Sequence, residues 1–318
     1  MRSENYNRRS PKYGWPFRRI SFKGFEIQSR IFSGPKVFKL VFPLKGKNSS
    51  ERMSFSLFHF FWTSKRNEGK LLYSLLFVLI MGGCNSENAN DCLQNAGDLT
   101  KIQVSLPEFS NITVFENLNL IIRQGEEQSV EIESGEFLIN DISAKVDGNR
   151  LVLRNDNGCN IFREYGLSTV YVTVPSLTEI RSSTGLLIAS DGPLRYPSLS
   201  LISESFNNPE ADTNDGSFDI EVDNENVRIT ANGIAFFKLR GRTTNLNVNI
   251  FAGDTRIDAN ALEALQVTID HRGSNDMFVN PQERISGVIR GYGDVISGNR
   301  PNEVEVDEIF EGRLIFRD

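Results

Sequence analysis

Leu246-Asn-Val-Asn-Ile-Phe-Ala-Gly-Asp-Thr-Arg-Ile257 alternates apolar and polar residues, breaks at Gly253-Asp254, and alternates again. Alternation with period two is the mark of a strand with one buried face. The same pattern recurs on both sides. Gly233, Gly253, Gly273 and Gly293 stand 20 residues apart. Short apolar runs precede them: Val227-Arg-Ile229, Leu246-Asn-Val-Asn-Ile250, Leu265-Gln-Val-Thr-Ile269 and Val288-Ile289. A second short run follows each: Phe237-Lys-Leu239, Thr255-Arg-Ile257, Met277-Phe-Val279 and Val295-Ile296. A period near 20 matches one coil of a parallel β-helix, a solenoid of short strands and turns. One coil cannot bury its own apolar face, so coils must stack on a shared core. The recurring glycine marks a corner that needs an unusual φ or a close backbone approach. Gly241-Arg-Thr-Thr-Asn245 and Pro281-Gln-Glu-Arg284 read as polar loops between rungs.

Upstream, strand follows strand. Ile112-Thr-Val-Phe115, Leu118-Asn-Leu-Ile-Ile122, Val130-Glu-Ile132, Leu151-Val-Leu153, Val170-Tyr-Val-Thr-Val174 and Leu199-Ser-Leu-Ile202 alternate or run apolar. Turn signals such as Asp147-Gly148-Asn149 and Asp191-Gly192 separate them. The one helix-like fragment, Ala259–Ala264, is too short for more than a turn. The reading is an all-β domain over 99–318, its segment from Ile102 to Val174 richer in hairpin-like turns. An antiparallel sandwich or barrel is the competing arrangement of the same strands.

Charge divides the chain. Met1 to Lys70 carries 16 Lys+Arg against 4 Asp+Glu, and residues 71–83 carry none. The rest holds 19 basic and 37 acidic residues. So acidic a domain repels phosphate backbones, which argues against nucleic acid as a partner. Leu71–Met81 is an 11-residue apolar run, half of what a membrane span needs and the length of a signal-peptide core. Lys65, Arg66 and Lys70 precede it; Gly82-Gly83-Cys84 follows. This order resembles the lipobox of bacterial lipoproteins, with the Cys84 thiol as the lipid acceptor and a signal peptide over about 65–83. Residues 84–98 then form a polar tether. Met53 would give a signal of ordinary length, so the leader, 1–83, reads as containing an over-long gene start; a basic extension is the alternative.

Phe109-Ser-Asn-Ile-Thr-Val114, Leu118-Asn-Leu-Ile-Ile-Arg-Gln-Gly125, Val170–Ile180, Phe251-Ala-Gly-Asp254, Gly291-Tyr-Gly-Asp294 and Gly312-Arg-Leu-Ile-Phe316 carry a further likeness. The mature chain resembles the head-GIN-domain family of putative autotransporter adhesins, carried by lipoproteins of Bacteroidetes-type bacteria. The resemblance implies a right-handed β-helix on the cell surface or in the periplasm. It brings no catalytic residue with it.

The residues themselves offer little chemistry. Cys92 and Cys159 are candidates for a disulfide tying tether to domain. Asp254, Asp294 and Asn275-Asp276 follow the corner glycines, and turn capping through backbone bonds explains them better than calcium. Asp219, Glu221 and Asp223 fall on one side of one strand, with Arg228, Lys238 and Arg240 nearby. A carbohydrate-cleaving β-helix would need such groups across a groove, but a solvated acidic face is the plainer reading. His271 reads as a surface or strand residue. Phe236, Phe237, Tyr165, Tyr171 and Tyr292 are candidate exposed aromatics that stack on a glycan or anchor a protein. No cofactor or metal is expected. The expectation is a non-enzymatic, adhesin-like lipoprotein of the outer membrane, anchored through its lipid and binding a glycan or protein. A carbohydrate-active β-helix enzyme and a structural envelope protein are the alternatives.

Overall fold

The computed structural model describes residues 95–115, 117–157, 166–205 and 213–317, and the backbone of two short N-terminal strands. The chain divides into two compact units, Met1–Leu79 and Ile80–Asp318. In the first, β1 (Ser21–Phe22) and β2 (Phe25–Glu26) pair antiparallel. The second is all-β: seventeen strands share one sheet, and its helical element among the described residues is a single 3-10 turn at Ile139–Asp141.

The first strands of that sheet are β3 (Leu99–Val104), β4 (Asn111–Val114), β5 (Asn119–Gln124) and β6 (Ser129–Gly135). After them come β7 (Ile142–Asp147), β8 (Arg150–Asn155) and β9 (Thr169–Val174). Here antiparallel pairs occur: β3 with β6, β6 with β9, and β7 with β8. The β7–β8 hairpin closes through Gly148-Asn149, with Gly148 at φ +58°. A two-residue loop of this kind needs a positive φ, which glycine supplies. One hairpin and two further antiparallel ladders thus lie in the segment expected to be richer in hairpin-like turns.

Next come β10 (Glu179–Ser182), β11 (Leu187–Ser190) and β12 (Ser198–Ser203), then four long strands. These are β13 (Gly216–Ala231), β14 (Ala235–Ile250), β15 (Arg256–His271) and β16 (Met277–Ile289). The chain ends with β17 (Val295–Ser297), β18 (Glu303–Glu308) and β19 (Leu314–Phe316). From β10 onward every ladder between described strands is parallel. Phe218 pairs with Phe237, Phe237 with Ile257, Ile257 with Met277, and Met277 with Val295. Partners are thus one sequence period apart, as the glycine spacing requires. An antiparallel sandwich of these strands is excluded between residues 227 and 296. β4 and β5 join the same stack, but their next partners are 68 residues away, at Ile180 and Ile188. The intervening β6–β9 excursion lays strands over the N-terminal end of the stack.

Three local expectations fail for one reason. Gly241–Asn245 lies inside β14, Pro281–Arg284 inside β16, and Ala259–Ala264 inside β15. None is a loop or a helical turn. In β14 the buried residues are Ala235, Phe237, Leu239 and Thr243, then Leu246, Val248 and Ile250. In β15 they are Ile257 and Ala259, then Leu262 and Ala264, then Val267, Ile269 and His271. The parity of burial switches while the ladder continues. Each switch turns the strand so that its next arm shows its inner face to the same core. Polar residues at such corners resemble a loop in sequence, yet their backbone groups still pair with the adjacent rung.

The core is a set of vertical columns. Leu120, Ile188, Phe218, Phe237, Ile257, Met277 and Val295 lie in register and are wholly buried. A second column runs Ile112, Ile180, Leu201, Ile229, Val248, Ile269. Each such side chain stabilises by about 1.5–3 kcal/mol through burial. Phe218 and Phe237 stack with ring centroids 4.5 Å apart and planes 6° from parallel.

Candidate binding surface along the glycine corner

The turns that join one long strand to the next lie one above another. The amide of Asp254 donates to the Gly233 carbonyl at 3.0 Å, that of Ser274 to Gly253 at 3.0 Å, and that of Gly293 to Gly273 at 3.2 Å. Gly312 continues the series, donating to Gly291 at 3.0 Å. At this contact distance a side chain has no room: a Cβ on Gly253 would lie 2.4 Å from the Gly233 oxygen, and one on Gly293 2.0 Å from the Asn275 oxygen. Of the four repeat glycines only Gly253 has a positive φ, +88°. Close approach, more than backbone conformation, is what the corner demands.

The aspartates of this corner face the next turn. Asp254 accepts from the Ser274 hydroxyl at 2.9 Å, Asp276 from the Asp294 amide at 3.0 Å, and Asp294 from the Arg313 amide at 2.8 Å. They cap backbone and hydroxyl donors, the role that turn chemistry assigns them. Among the described residues no cluster of three His, Cys, Asp or Glu is arranged to hold a metal.

On the outside of this corner runs a row of exposed apolar side chains. Ile234 is 71% exposed, Tyr292 67%, Ile309 57%, and Phe251 and Phe310 nearly half. Tyr292 and Phe310 meet edge to face at 4.9 Å. Arg272 and Arg290 both reach Asp270, at 3.4 and 3.3 Å, beside the row. Arg272 and Arg290, and Asp254 and Ser274, stand on the rungs between Ile234 and Phe251 at one end and Tyr292, Ile309 and Phe310 at the other; exposed apolar groups rimmed by charge in this way mark an interaction surface. The row arises because turn residues sit outside the in–out alternation: nothing in the core requires them to be apolar.

Beneath the corner lies His271, the last residue of β15 and wholly buried, not a surface residue. Neither ring nitrogen has a partner at hydrogen-bonding geometry. Burial lowers its pKa below the usual histidine value, against an opposing pull from the carbonyls of Asn275 and Gly293 and the carboxylates of Asp276 and Asp270.

The three carboxylates of β13 point outward, and the next rung answers each with a cation. Lys238 Nζ is 3.0 Å from Asp219, Arg240 Nε 3.2 Å from Glu221, and Arg242 Nε 2.6 Å from Asp223. Arg240 also reaches Asp219. Arg195, from the rung below, holds Asp223 at 3.3 Å. The hydrogen bond from Arg242 is the main cause of a lowered Asp223 pKa. This is a ladder of ion pairs across parallel strands. Arg228 lies on the other arm of β13 and takes no part.

Of the other aromatics, Phe237 is core, Phe236 is half-buried, and the Tyr171 hydroxyl donates to Glu133 at 2.7 Å. Of the residues expected to be exposed, Tyr292 is the one on the row; Ile234, Phe251, Ile309 and Phe310 were not anticipated. Their signal was an apolar residue beside a corner glycine, out of phase with the flanking strands. Cys84, Cys92, Cys159 and Tyr165 lie outside the described residues. Among the described residues no helix is long and apolar enough to cross a membrane.

No curated relative matches the chain. The crystal structure of a putative adhesin from Bacteroides fragilis NCTC 9343 superposes with a TM-score of 0.61 at 20% identity, covering 69% of this chain and 97% of that one. A putative lipid binding protein from Parabacteroides distasonis ATCC 8503 does so at 0.51 and 13% identity, covering 70% and 98%. At these identities the likeness is one of fold. A family model described as putative auto-transporter adhesin, head GIN domain, matches residues 108–301, and the chain belongs to that family.

Proposed function

We propose that this protein is an adhesin-like lipoprotein of the bacterial outer membrane, held by a lipid on Cys84 and binding its partner without catalysis. On this reading the registered parallel strands form a right-handed β-helix with coils of about 20 residues, the repeat architecture in which each coil leans on its neighbours. The observation that carries the binding role is the row Ile234, Phe251, Tyr292, Ile309 and Phe310 on the glycine corner. Rings on a rigid edge stack on sugar faces or enter apolar pockets at little conformational cost. The stacked turns hold the row in place, so a ligand meets a preorganised line of contacts. The absence of catalysis is supported by the β13 carboxylates, each already ion-paired to the next rung.

The test is a glycan array and a cell-binding screen of the full chain beside Tyr292→Ala/Phe310→Ala. Two lost anchors of about 1.4 kcal/mol or more each weaken binding by about a hundredfold. A ligand bound equally well by both proteins would place the binding surface elsewhere. Turnover of a bound glycan by the full chain would overturn the non-catalytic reading. The anchor is tested by labelling with a lipid precursor: incorporation disappears in Cys84→Ala, and equal labelling of both rules Cys84 out.

A further inference from the structure

The two ends of the strand stack differ. At the N-terminal end, β8 and β9 cover β4 and β5, and the antiparallel strands β7, β6 and β3 follow. At the other end, β18 pairs only with β16, and β19 only with β17. Among the described residues nothing pairs with their outer edges. An open edge carries a row of unbonded N–H and C=O groups, a template for another strand.

The core is open there too. Val304 continues the column of Val267 and Ile285, both fully buried, yet is 41% exposed itself. Leu314 continues the column of Met277 and Val295 and is only half-buried. Burying these side chains is a gain that the chain leaves unused at this end.

Charge selects what fits. Glu303, Glu305 and Asp307 stand at alternate positions of β18 and share its outer face. Arg284, on the rung below, contacts both Glu303 and Glu305. Among the described residues nothing reaches them from above, and their side chains stay 63% and 64% exposed. Asp223 in β13 shows the completed arrangement: Arg195 binds it from the rung below and Arg242 from the rung above. There the acidic strand is followed, in parallel register, by Lys238, Arg240 and Arg242 at alternate positions. A second copy of this chain, edge to edge, would set Glu303, Glu305 and Asp307 against the same row, and like charges across a ladder repel.

We propose that the β18 edge is a docking site for an extended polypeptide segment with lysine or arginine at alternate positions and apolar residues between them. The segment adds as a further parallel strand. Its backbone takes the free hydrogen-bonding groups of β18. Its cations reach Glu303, Glu305 and Asp307 as Lys238, Arg240 and Arg242 reach the row of β13. Its apolar side chains cover Val304 and Val306. This is recognition by strand addition, where the backbone gives affinity and alternate side chains give specificity.

The probe is a nine-residue peptide alternating lysine with valine. Its controls are a peptide of the same composition in scrambled order and one with glutamate in place of lysine. Titrated into the full chain, the alternating peptide binds, and the amides of residues 303–308 gain protection from hydrogen exchange. Neither control binds. Glu303→Lys/Glu305→Lys weakens binding at least tenfold while the far-UV spectrum stays unchanged. Equal binding of the scrambled peptide, or binding without protection at 303–308, overturns the proposal. So does concentration-dependent self-association that the same double substitution strengthens, since the acidic row would then be excluding copies of the chain and not recruiting a basic strand.

Discussion

Replacing Gly241 with alanine isolates the close approach of neighbouring rungs. Gly241 lies in β14 opposite Val222, with φ +103°, and a Cβ there would stand 2.0 Å from the Val222 carbonyl oxygen. Gly148, at φ +58° in the β7–β8 turn, has nothing within 4 Å of its would-be Cβ. Gly148→Ala therefore carries conformational strain alone, about 1–2 kcal/mol. Gly241→Ala carries that strain and a clash with backbone. An ordinary contact needs more than an ångström of further separation. Gly241 is laddered on both sides, to Val222 and to Leu262, so it cannot retreat from one without pressing on the other. Relief breaks two or three ladder hydrogen bonds at about 1 kcal/mol each. The expected cost is about 3–5 kcal/mol, a large part of a typical domain's 5–15 kcal/mol. Urea unfolding followed by far-UV circular dichroism measures both variants, the comparison being made at unchanged m. A Gly241→Ala loss no greater than that of Gly148→Ala would refute the reasoning, because the rungs would then be yielding freely.

His271 gives a pH dependence. The unfolded chain takes up the proton near the ordinary histidine value of about 6.5, and the folded chain, its pKa lowered by burial, only below it. His271 leaves stability untouched above about pH 6.5 and removes it as pH falls below, by up to about 1.4 kcal/mol per pH unit until the folded pKa is reached. His271→Leu flattens that slope between pH 6.5 and 5, and an unchanged slope would assign it to other groups. Phe237→Ala removes a wholly buried ring stacked on Phe218 and costs about 3–5 kcal/mol by the same urea measurement. A loss below about 1 kcal/mol would mean that the columns of the core repack without cost.

How much of this was legible depended on what each residue answers to. Gly233, Gly253, Gly273 and Gly293 were readable because each rung is crowded where a Cβ would go, by a neighbouring carbonyl at Gly233, Gly253 and Gly293 and by the His271 and Ile250 side chains at Gly273. Gly241 was not, since its clash belongs to one rung and repeats nowhere at its period. Leu246–Ile250 showed its inner face plainly, whereas in Leu265–Ile269 the alternation holds for Val267 and Ile269 but not for Leu265, which is exposed at a corner. Gly241–Asn245 did not show its face, because a corner inside a strand suspends the alternation that distinguishes strand from loop. Asp219, Glu221 and Asp223 were seen as one acidic face, but their cations lie a full rung away, so pairing could be read only with the register in hand. The histidine, read as a surface or strand residue, ends β15, and its side chain is buried. Position 271 keeps the parity of Val267 and Ile269, so alternation puts it inside and excludes the surface half of that reading.

The division of labour in the rungs explains why function is the hardest part to read. Inward residues are fixed by columns such as Leu120 to Val295, where a change in one rung is felt by the two that touch it. Outward residues in the strands are constrained more weakly, through ion pairs that cross rungs. Turn residues at the glycine corner are constrained in backbone, as the amide-to-carbonyl series from Asp254 to Gly312 shows, and in side chain where Asp254, Asp276 and Asp294 cap the next turn. Exposed positions between those caps, such as Tyr292, are tied less closely to the stack. Exposed apolar side chains there, as at Tyr292 and Phe310, gain far less from burial than the columns of the core do. If the row instead served stability, Tyr292→Ala/Phe310→Ala would lower the urea midpoint by as much as a core substitution. On the argument from exposure it costs about 0.5–1.5 kcal/mol, the worth of one aromatic pair at the surface, well below a core substitution.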